Sequence, residues 1–187
     1  MSKMSRRLKL LLIILLISPV IVLKGYSLYL TLQGNFHTIT PGEAYRSAQL
    51  DRRKLEFYIN KYNIKSVISL SCERKEARWY KDELEICKEY RIVRHSIPMS
   101  SRHEPTEQVI KYVTDAFNGS PRPVLIHCKR GSDRTGLVAA MWKVLVDKEP
   151  KSVAKKQLSL VYLHFPIGWA GSLDRYFEKW KPPQDPR

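Results

Sequence analysis

Cysteine is scarce in this sequence: its 187 residues include only Cys72, Cys87 and Cys128. An odd number of widely spaced cysteines argues against a disulfide framework. There is no Cys-x-x-Cys pair and the five histidines are scattered, so a zinc site is not indicated either. We therefore expect neither a metal nor another cofactor, and each cysteine has to be interpreted from its own neighbours.

Acidic residues are also few, with 18 Asp and Glu against 33 Lys and Arg, a net charge of +15 and a pI near 9.8. A basic surface suits phosphorylated substrates, anionic lipid headgroups or nucleic acid. Aromatic residues do not alternate with a basic stripe as they do in known nucleic-acid readers, so we expect no nucleic acid as partner. The 43% hydrophobic content is ample for a folded core.

The sequence has only one long uncharged hydrophobic run, Leu10 to Leu23. Its 14 residues are fewer than the roughly 20 that span a bilayer, but the less hydrophobic 26–32 stretch could extend it. A buried core helix would need a polar face, which this run lacks. A cleaved signal peptide has only a weak small-x-small pattern at 25–27 in its favour. We therefore predict an uncleaved signal anchor over 1–32, a single pass through the membrane.

Four basic residues precede this run, namely Lys3, Arg6, Arg7 and Lys9. By the positive-inside rule they stay in the cytoplasm, which places the rest of the chain outside it, in the periplasm of a bacterium. A reactive thiol is chemically awkward there, because oxidising compartments favour disulfides.

Residues 33–180 have the pattern of one α/β domain, followed by a flexible tail over 181–187. Apolar periodicity predicts helices over 50–62, 76–90, 105–118, 135–146 and 173–180, and one more that starts near Pro150 and reaches Val161. Strands are predicted over 65–70, 92–97 and 123–127, and a turn with a short edge strand over 39–47. Alternating strands and helices predict a central sheet flanked by helices on both faces.

The segment that carries the chemistry follows the last predicted strand and reads His-Cys-Lys-Arg-Gly-Ser-Asp-Arg-Thr, from His127 to Thr135. A short loop with a central glycine that opens a helix can present successive backbone N–H groups to an anion, and the helix N-terminus adds its positive dipole end. We predict a phosphate site there, with Arg134 gripping two phosphate oxygens.

Cys128 lies at the mouth of this cradle, where backbone amides, the helix dipole and Arg134 favour the nucleophilic thiolate. The hydroxyl of Thr135 can donate to the sulfur and help it leave again. The four residues between Cys128 and Asp133 are predicted to bind the substrate; they are Lys129, Arg130, Gly131 and Ser132. Phosphoryl transfer to sulfur and hydrolysis of the phosphocysteine is the reaction that these residues indicate.

This loop resembles that of the protein tyrosine phosphatase superfamily, and in particular the compact bacterial and atypical dual-specificity phosphatases. The segment Tyr45-Arg46-Ser47-Ala48-Gln49 and the stretch over 123–141 are similar to the same family, so the likeness covers about 45–161. It implies a dual-specificity-phosphatase-like fold and a monomeric enzyme. We expect Cys72 to be buried as a small apolar residue; the resemblance offers as the alternative a disulfide with Cys128 under oxidation, as in some relatives.

The resemblance also implies a general acid on an upstream loop, usually an aspartate, yet the stretch over 97–105 has none. We rank Asp133 first as a substitute, since the Cys-x-x-Gly-x-Asp-Arg arrangement resembles myotubularin-type lipid phosphatases. Glu104 and His103 follow.

Three functions stay open. The first is a tyrosine or dual-specificity phosphatase acting on phosphorylated protein, the second a phosphatase of anionic phospholipids or inositol phosphates, and the third an inactive phosphate-binding module. Among the remaining residues, we expect Arg46 to form a structural salt bridge, with reach into the site as the alternative, and His127 to hold the cysteine backbone. The aromatic residues over 169–180 are expected to pack within the domain rather than on a membrane.

Overall fold

The computed structural model describes residues 5–182, and the chain divides into two compact units between Gln33 and Gly34. The first unit contains one helix, α1 (Arg6–Leu32), which continues through Pro19. At 1.5 Å per residue it is about 40 Å long. Its Lys9–Leu32 part has a mean hydropathy of 2.2 and is long and apolar enough to cross a membrane, as a signal sequence also would be. The apolar segment therefore extends well beyond the 14-residue run.

The second unit is an α/β domain with a five-stranded sheet. Its strands are β1 (His37–Thr40), β2 (Ala44–Ala48), β3 (Ser66–Ser69), β4 (Val93–Ser96) and β5 (Val124–Cys128). Its helices are α2 (Arg52–Tyr62), α3 (Arg78–Glu89), α4 (Glu107–Gly119), α5 (Asp133–Leu145), α6 (Lys151–Ala154) and α7 (Gly171–Lys179). The strand order is β1-β2-β5-β3-β4, and all neighbours are parallel except β1 and β2.

The apolar side chains of the sheet alternate between two cores, because successive residues of a strand point to opposite faces. Leu125 and Val67 pack with residues of α2 and α3, while Val124, Ile126 and Ile68 pack with residues of α4, α5 and α7. Helices therefore cover both faces, as the alternation of elements predicts. The most central helix is α5, whose residues from Thr135 to Trp142 are all buried.

Two predicted elements differ from the structure. The strand expected at the edge, β2, lies inside the sheet between β1 and β5, and the edge strand is β1. The helix expected from Pro150 to Val161 ends at Ala154 and gives way to short 3₁₀ turns over Lys155–Gln157 and Leu160–Tyr162. The extended backbone of Ser159 interrupts it, and the apolar Val153 and Leu160 are exposed while the polar Gln157 is buried.

Candidate active site

The loop from Lys129 to Ser132 joins the end of β5 to the start of α5. β5 lies between two parallel neighbours, so the loop leaves the sheet at its carboxyl edge beside the ends of β2 and β3. Parallel α/β sheets place their ligand sites at this edge. Cys128, the last residue of β5, is 2% exposed and lies opposite Ala48 in the register.

Gly131 allows the loop to pack directly on β2. Its φ of +70° lies in the left-handed region that glycine tolerates best. A Cβ atom there would lie 2.5 Å from the backbone nitrogen of Ala48 and 2.6 Å from the carbonyl of Ser47. These are backbone atoms, so no side-chain rotation could relieve the overlap.

Arg46 of β2 binds carbonyl groups of the same loop. Its Nη2 donates to the carbonyls of Gly131 and Ser132, at 2.8 and 3.3 Å, and its Nη1 donates to the backbone carbonyl and side-chain Oε1 of Gln157, at 2.8 and 2.7 Å. The predicted salt bridge was wrong: the four acceptors of this guanidinium are all uncharged. Its fork instead matches carbonyl groups from two separate segments of the chain.

The Arg46 side chain is fully buried, and its guanidinium lies 3.8 Å from the centre of the Tyr162 ring. Burial lowers the pKa of Arg46 to about 10, although Tyr162 and Cys128 act in the opposite direction. The residue is therefore still a cation at pH 7, and its charge acts on Cys128 as well as on the loop carbonyls.

A second polar anchor comes from Asn35. Its buried amide Nδ2 donates to the carbonyls of Arg130, at 2.9 Å, and Tyr162, at 3.1 Å. Its Oδ1 lies 2.9 Å from Nε2 of His37. Burial and the charge of Arg46 lower the pKa of His37 to about 4, so the ring is neutral at pH 7 and donates from Nε2 to Asn35.

Arg134 lies in the first turn of α5, and its Nη1 donates to the carbonyls of Leu70 and Met99, at 3.1 and 3.3 Å. These bonds fix the guanidinium against the ends of β3 and β4. Its Nε is buried and has no protein acceptor among the residues described here. Arg134 also lines a cleft of about 430 Å³, whose other lining residues are Gln49, Ser71, Cys72, Arg74, Ala77, Trp79 and Lys129.

His127, directly before the nucleophile candidate, does not bond the cysteine backbone as expected. Its Nε2 lies 3.0 Å from Oε2 of Glu83 in α3, and Arg94 of β4 donates to the other oxygen, Oε1, at 2.7 Å. Burial opposes ionisation of Glu83, but the adjacent His127 ring and the charge and hydrogen bond of Arg94 outweigh it and lower the pKa of Glu83 to about 2. The end of β5 is thus tied to a carboxylate on one face of the sheet.

The predicted site residues are distributed as follows. Lys129 and Arg130 are exposed, Gly131, Ser132 and Thr135 are buried, and Asp133 and Arg134 are half-buried. Oδ1 of Asp133 lies 2.8 Å from Nδ1 of His164. The buried hydroxyl of Thr135 has no hydrogen-bond partner within residues 5–182, so it makes no bond to the sulfur in this structure.

The alternative general acids lie on the loop before α4. Glu104 pairs with Lys179 at 3.6 Å, and Nδ1 of His103 lies 3.2 Å from the Ser100 hydroxyl. Neither of these two residues lines the cleft that holds Arg134.

All three cysteines are free. Cys72 is exposed on the cleft, so its expected burial was wrong. Cys87 is buried, and desolvation, helped by Glu83, raises the pKa of its thiol to about 12. The pairing of Cys72 with Cys128 under oxidation stays a prediction. Of the aromatic residues near the C-terminus, Phe177 and Trp180 pack in the core as expected, whereas Trp169 is 66% exposed.

Several residues of the site escaped the sequence analysis because they lie far from the loop in the chain. These residues are Asn35, His37, Glu83, Gln157 and His164. Each is an isolated polar residue with no motif around it, and only the folded domain brings it to the loop. The single signal was the segment at Tyr45-Arg46-Ser47, which had been noticed for its family likeness.

We compared the sequence and the fold with known proteins. A family profile described as "DSP-PTPase phosphatase fused to NAD+ Kinase" matches residues 38–164. A comparison with curated protein sequences gave no significant match.

Solved structures share the fold. TpbA of P. aeruginosa is 22% identical, with 79% of this chain and 85% of that chain covered and a TM-score of 0.60. The core catalytic domain of the PP-IP phosphatase SIW14 from S. cerevisiae is 22% identical, covers 80% of this chain and 87% of its own, and has a TM-score of 0.63. A DUF442 phosphatase from Shewanella putrefaciens is 15% identical, with coverages of 80% and 91% and a TM-score of 0.62.

The profile matches well over half of the chain, from residue 38 to His164, and includes Arg46. The strand, the loop and the buried helix α5 all fall within it. The chain therefore belongs to the family of dual-specificity-type protein tyrosine phosphatases and is a hydrolase of that type.

Proposed function

We propose that the protein hydrolyses phosphomonoesters through a phosphocysteine formed on Cys128. One observation carries the proposal: the carbonyls of Arg130, Gly131 and Ser132 are all bound by Asn35 or Arg46. By contrast, no backbone N–H over 129–132 donates to a protein acceptor within the part of the chain that the structure describes. A loop with its acceptors occupied and its donors unused is suited to a phosphate dianion.

In the proposed reaction the Cys128 thiolate attacks phosphorus, so that an S–P bond forms and the bond from phosphorus to the leaving oxygen breaks. The unused N–H groups and the Nε of Arg134 bind the equatorial oxygens, where charge develops in the transition state. Water then attacks the phosphocysteine and releases inorganic phosphate. The buried, unpartnered hydroxyl of Thr135 is available to donate to the departing sulfur.

We propose Asp133 as the group that protonates the leaving oxygen, with Glu104 and then His103 as alternatives. Asp133 adjoins Arg134, and its side chain is 26% exposed. Asp133→Asn and Glu104→Gln are compared on a poor and a good leaving group. The residue that serves as acid is the one whose loss slows the poor leaving group and spares the good one. If neither variant does so, both assignments fail.

For the substrate, we propose a phosphorylated protein first, because TpbA has been solved in complex with phosphotyrosine. A specific observation favours a second candidate, a lipid or inositol phosphate. The cleft is lined by Arg74, Lys129 and Arg134 and by no acidic residue, and SIW14 is described as a PP-IP phosphatase. Lys129, Arg130, Gly131 and Ser132 are the proposed substrate-binding residues, and no cofactor is part of the proposal.

We also propose that 1–32 anchors a monomeric domain of 33–180 to the membrane, with the domain on the periplasmic side. The long apolar α1 and the four basic residues before its uncharged run support this arrangement. The proposed flexible tail over 181–187 lies outside the described residues from 183 onward. A reporter that is active only in the periplasm, fused after Arg187, should give signal, and a silent fusion contradicts the orientation.

The decisive experiment is a phosphate-release assay of the detergent-solubilised chain. Wild type and Cys128→Ser are compared over phosphotyrosine peptides, phosphoinositides and inositol polyphosphates. We expect wild type to release phosphate and Cys128→Ser to be inactive. The class of compound that wild type hydrolyses fastest identifies the substrate class. Binding of phosphate without turnover of any substrate would favour the inactive phosphate-binding module.

A further inference from the structure

A cluster of three titratable side chains lies next to the catalytic loop, at the start of α5. The His164 side chain is 0% exposed, its Nδ1 lies 2.8 Å from Oδ1 of Asp133, and its Nε2 lies 2.8 Å from Oδ2 of Asp174. Asp133 is the first residue of α5, and Asp174 belongs to the first turn of α7. The ring therefore links the helix that carries Arg134 to the last helix of the domain.

The geometry fixes how many protons the cluster holds. A neutral imidazole has one N–H, but here both ring nitrogens face carboxylate oxygens, which only accept hydrogen bonds when ionised. Two bonds of 2.8 Å therefore require two protons, and the uncharged alternative would place one of them on a carboxyl group. Two flanking carboxylates favour the cationic ring, since a buried charge persists only when it is paired.

The pKa of His164 follows from the same surroundings. Burial lowers it, but the hydrogen bonds and charges of Asp133 and Asp174 outweigh burial and raise it above 6.5. These two aspartates are the titratable groups that face the ring, one from α5 and one from α7. The ring is therefore fully charged below pH 6.5, and it loses its second proton only as the pH rises through the raised value.

We propose that His164, held by Asp174, is a positioning residue of the phosphatase site that holds Oδ1 of Asp133 and, with it, the first turn of α5; Oδ2 of Asp133, which His164 does not contact, is the oxygen that carries the proton for the leaving group. This inference rests on the proposed function of the loop. The contact acts at the residue next to Arg134, whose guanidinium must meet the phosphate at a fixed angle. The segment after the 3₁₀ turns, which contains no recognisable motif, thereby becomes part of the catalytic apparatus.

Two near-isosteric variants separate the two halves of the contact. The side-chain nitrogen of asparagine occupies the place of Nδ1, so His164→Asn keeps the donor to Asp133. The nitrogen of glutamine reaches the place of Nε2, so His164→Gln keeps the donor to Asp174 only. We expect kcat to fall by about 10-fold or more in His164→Gln, because this variant loses the hydrogen bond to the charged Asp133. In His164→Asn, which keeps that bond, kcat should fall by clearly less.

The pH profile adds a second readout. The wild-type rate should fall on the alkaline side as His164 loses its second proton, and His164→Asn should lack this limb because an amide does not titrate. His95→Asn serves as the matched control, since His95 is half-buried and contacts Ser120 away from the loop. Equal losses in His164→Asn and His164→Gln with an unchanged pH profile would overturn the proposal in favour of a purely structural role.

A measurement without turnover separates this inference from the proposed function. In full-length protein with ¹⁵N-labelled imidazole rings, the His164 signals at pH 6 should be those of a doubly protonated ring. They should move toward a neutral ring in Asp133→Asn. A neutral His164 ring in the wild type contradicts the inference whether or not the enzyme is active. An inactive wild type with a charged ring contradicts only the proposed function.

Discussion

Replacing Gly131 by alanine tests whether the loop depends on direct backbone contact with β2. Both Gly131 and Gly42 have a positive φ, +70° and +75°, so an alanine at either site meets the same conformational penalty. They differ in their surroundings. Nothing lies within 4 Å of a Cβ at Gly42, whereas a Cβ at Gly131 would overlap the backbone of Ser47 and Ala48 at 2.5 to 2.6 Å.

The left-handed conformation costs an alanine about 1–2 kcal/mol. We expect Gly42→Ala to lower the free energy of unfolding by this amount and no more. Gly131→Ala adds overpacking against backbone atoms, worth about 1–3 kcal/mol more. Relief of this overlap requires the loop to move away from β2. That movement stretches the hydrogen bonds from Arg46 to the carbonyls of Gly131 and Ser132, so the N–H groups lose their alignment.

Both variants are compared with wild type by urea unfolding of the detergent-solubilised chain and by kcat on an aryl phosphate. Gly42→Ala should lose stability but keep kcat within about 2-fold, because nothing of the site touches it. Gly131→Ala should lose about 2–5 kcal/mol and at least 100-fold in kcat, as expected for lost preorganised donors. If the two variants behave alike, the reasoning from backbone contact is refuted.

Three further predictions concern the groups around the loop. Arg46→Lys removes the guanidinium fork and should lower kcat by about 10- to 100-fold. Arg122 forms an exposed ion pair with Glu43, so Arg122→Lys should change the free energy of unfolding by no more than about 1 kcal/mol. Glu83→Gln should cost about 3 kcal/mol at pH 7 by urea unfolding. Because the pKa of Glu83 is lowered from 4.5 to about 2, the stabilisation by its carboxylate disappears as the pH falls through that range. The difference in free energy of unfolding between wild type and Glu83→Gln should disappear over the same range. A difference that does not change with pH contradicts the argument. Wild type inactivated by excess peroxide should recover activity with a thiol reductant if Cys72 and Cys128 form a disulfide, while Cys72→Ser should not, because its Cys128 sulfenic acid is oxidised further to the sulfinic acid; equal recovery excludes that pairing.

The sequence was sufficient to predict most of the fold, because long amphipathic or wholly apolar segments leave little choice. Helix α5 is apolar on nearly every side, and the sheet strand that precedes it is apolar throughout, so both were predicted within two residues of their observed ends. The failures have physical causes. Pairing between β2 and β5 decides which strand is internal, and no local pattern encodes pairing. The segment after Pro150 has helical spacing, but packing around Gln157 overrides it.

The residues of the site also fall into those that could be predicted from the sequence and those that could not. Cys128, Gly131 and Arg134 were found because a phosphate-binding loop needs these residue types at this spacing along the chain. Arg46 was noticed, but its role was misjudged, since nothing in the sequence shows that a buried arginine will meet carbonyls in place of a carboxylate. His164 and Asn35 could not be found, because their hydrogen bonds join positions far apart in the chain and no motif surrounds either residue.

The position of β5 between β2 and β3 has a consequence for how the domain folds. Ala44 pairs with Val124, 80 positions later, and Arg46 bonds to Gln157, still further along the chain. Contacts over such distances close large loops of unfolded chain, which slows folding. A chain that has formed its first helices and hairpin therefore holds neither the cradle nor its supports. Recovery of turnover during refolding would consequently report completion of the whole sheet, and it should lag behind the recovery of helical signal.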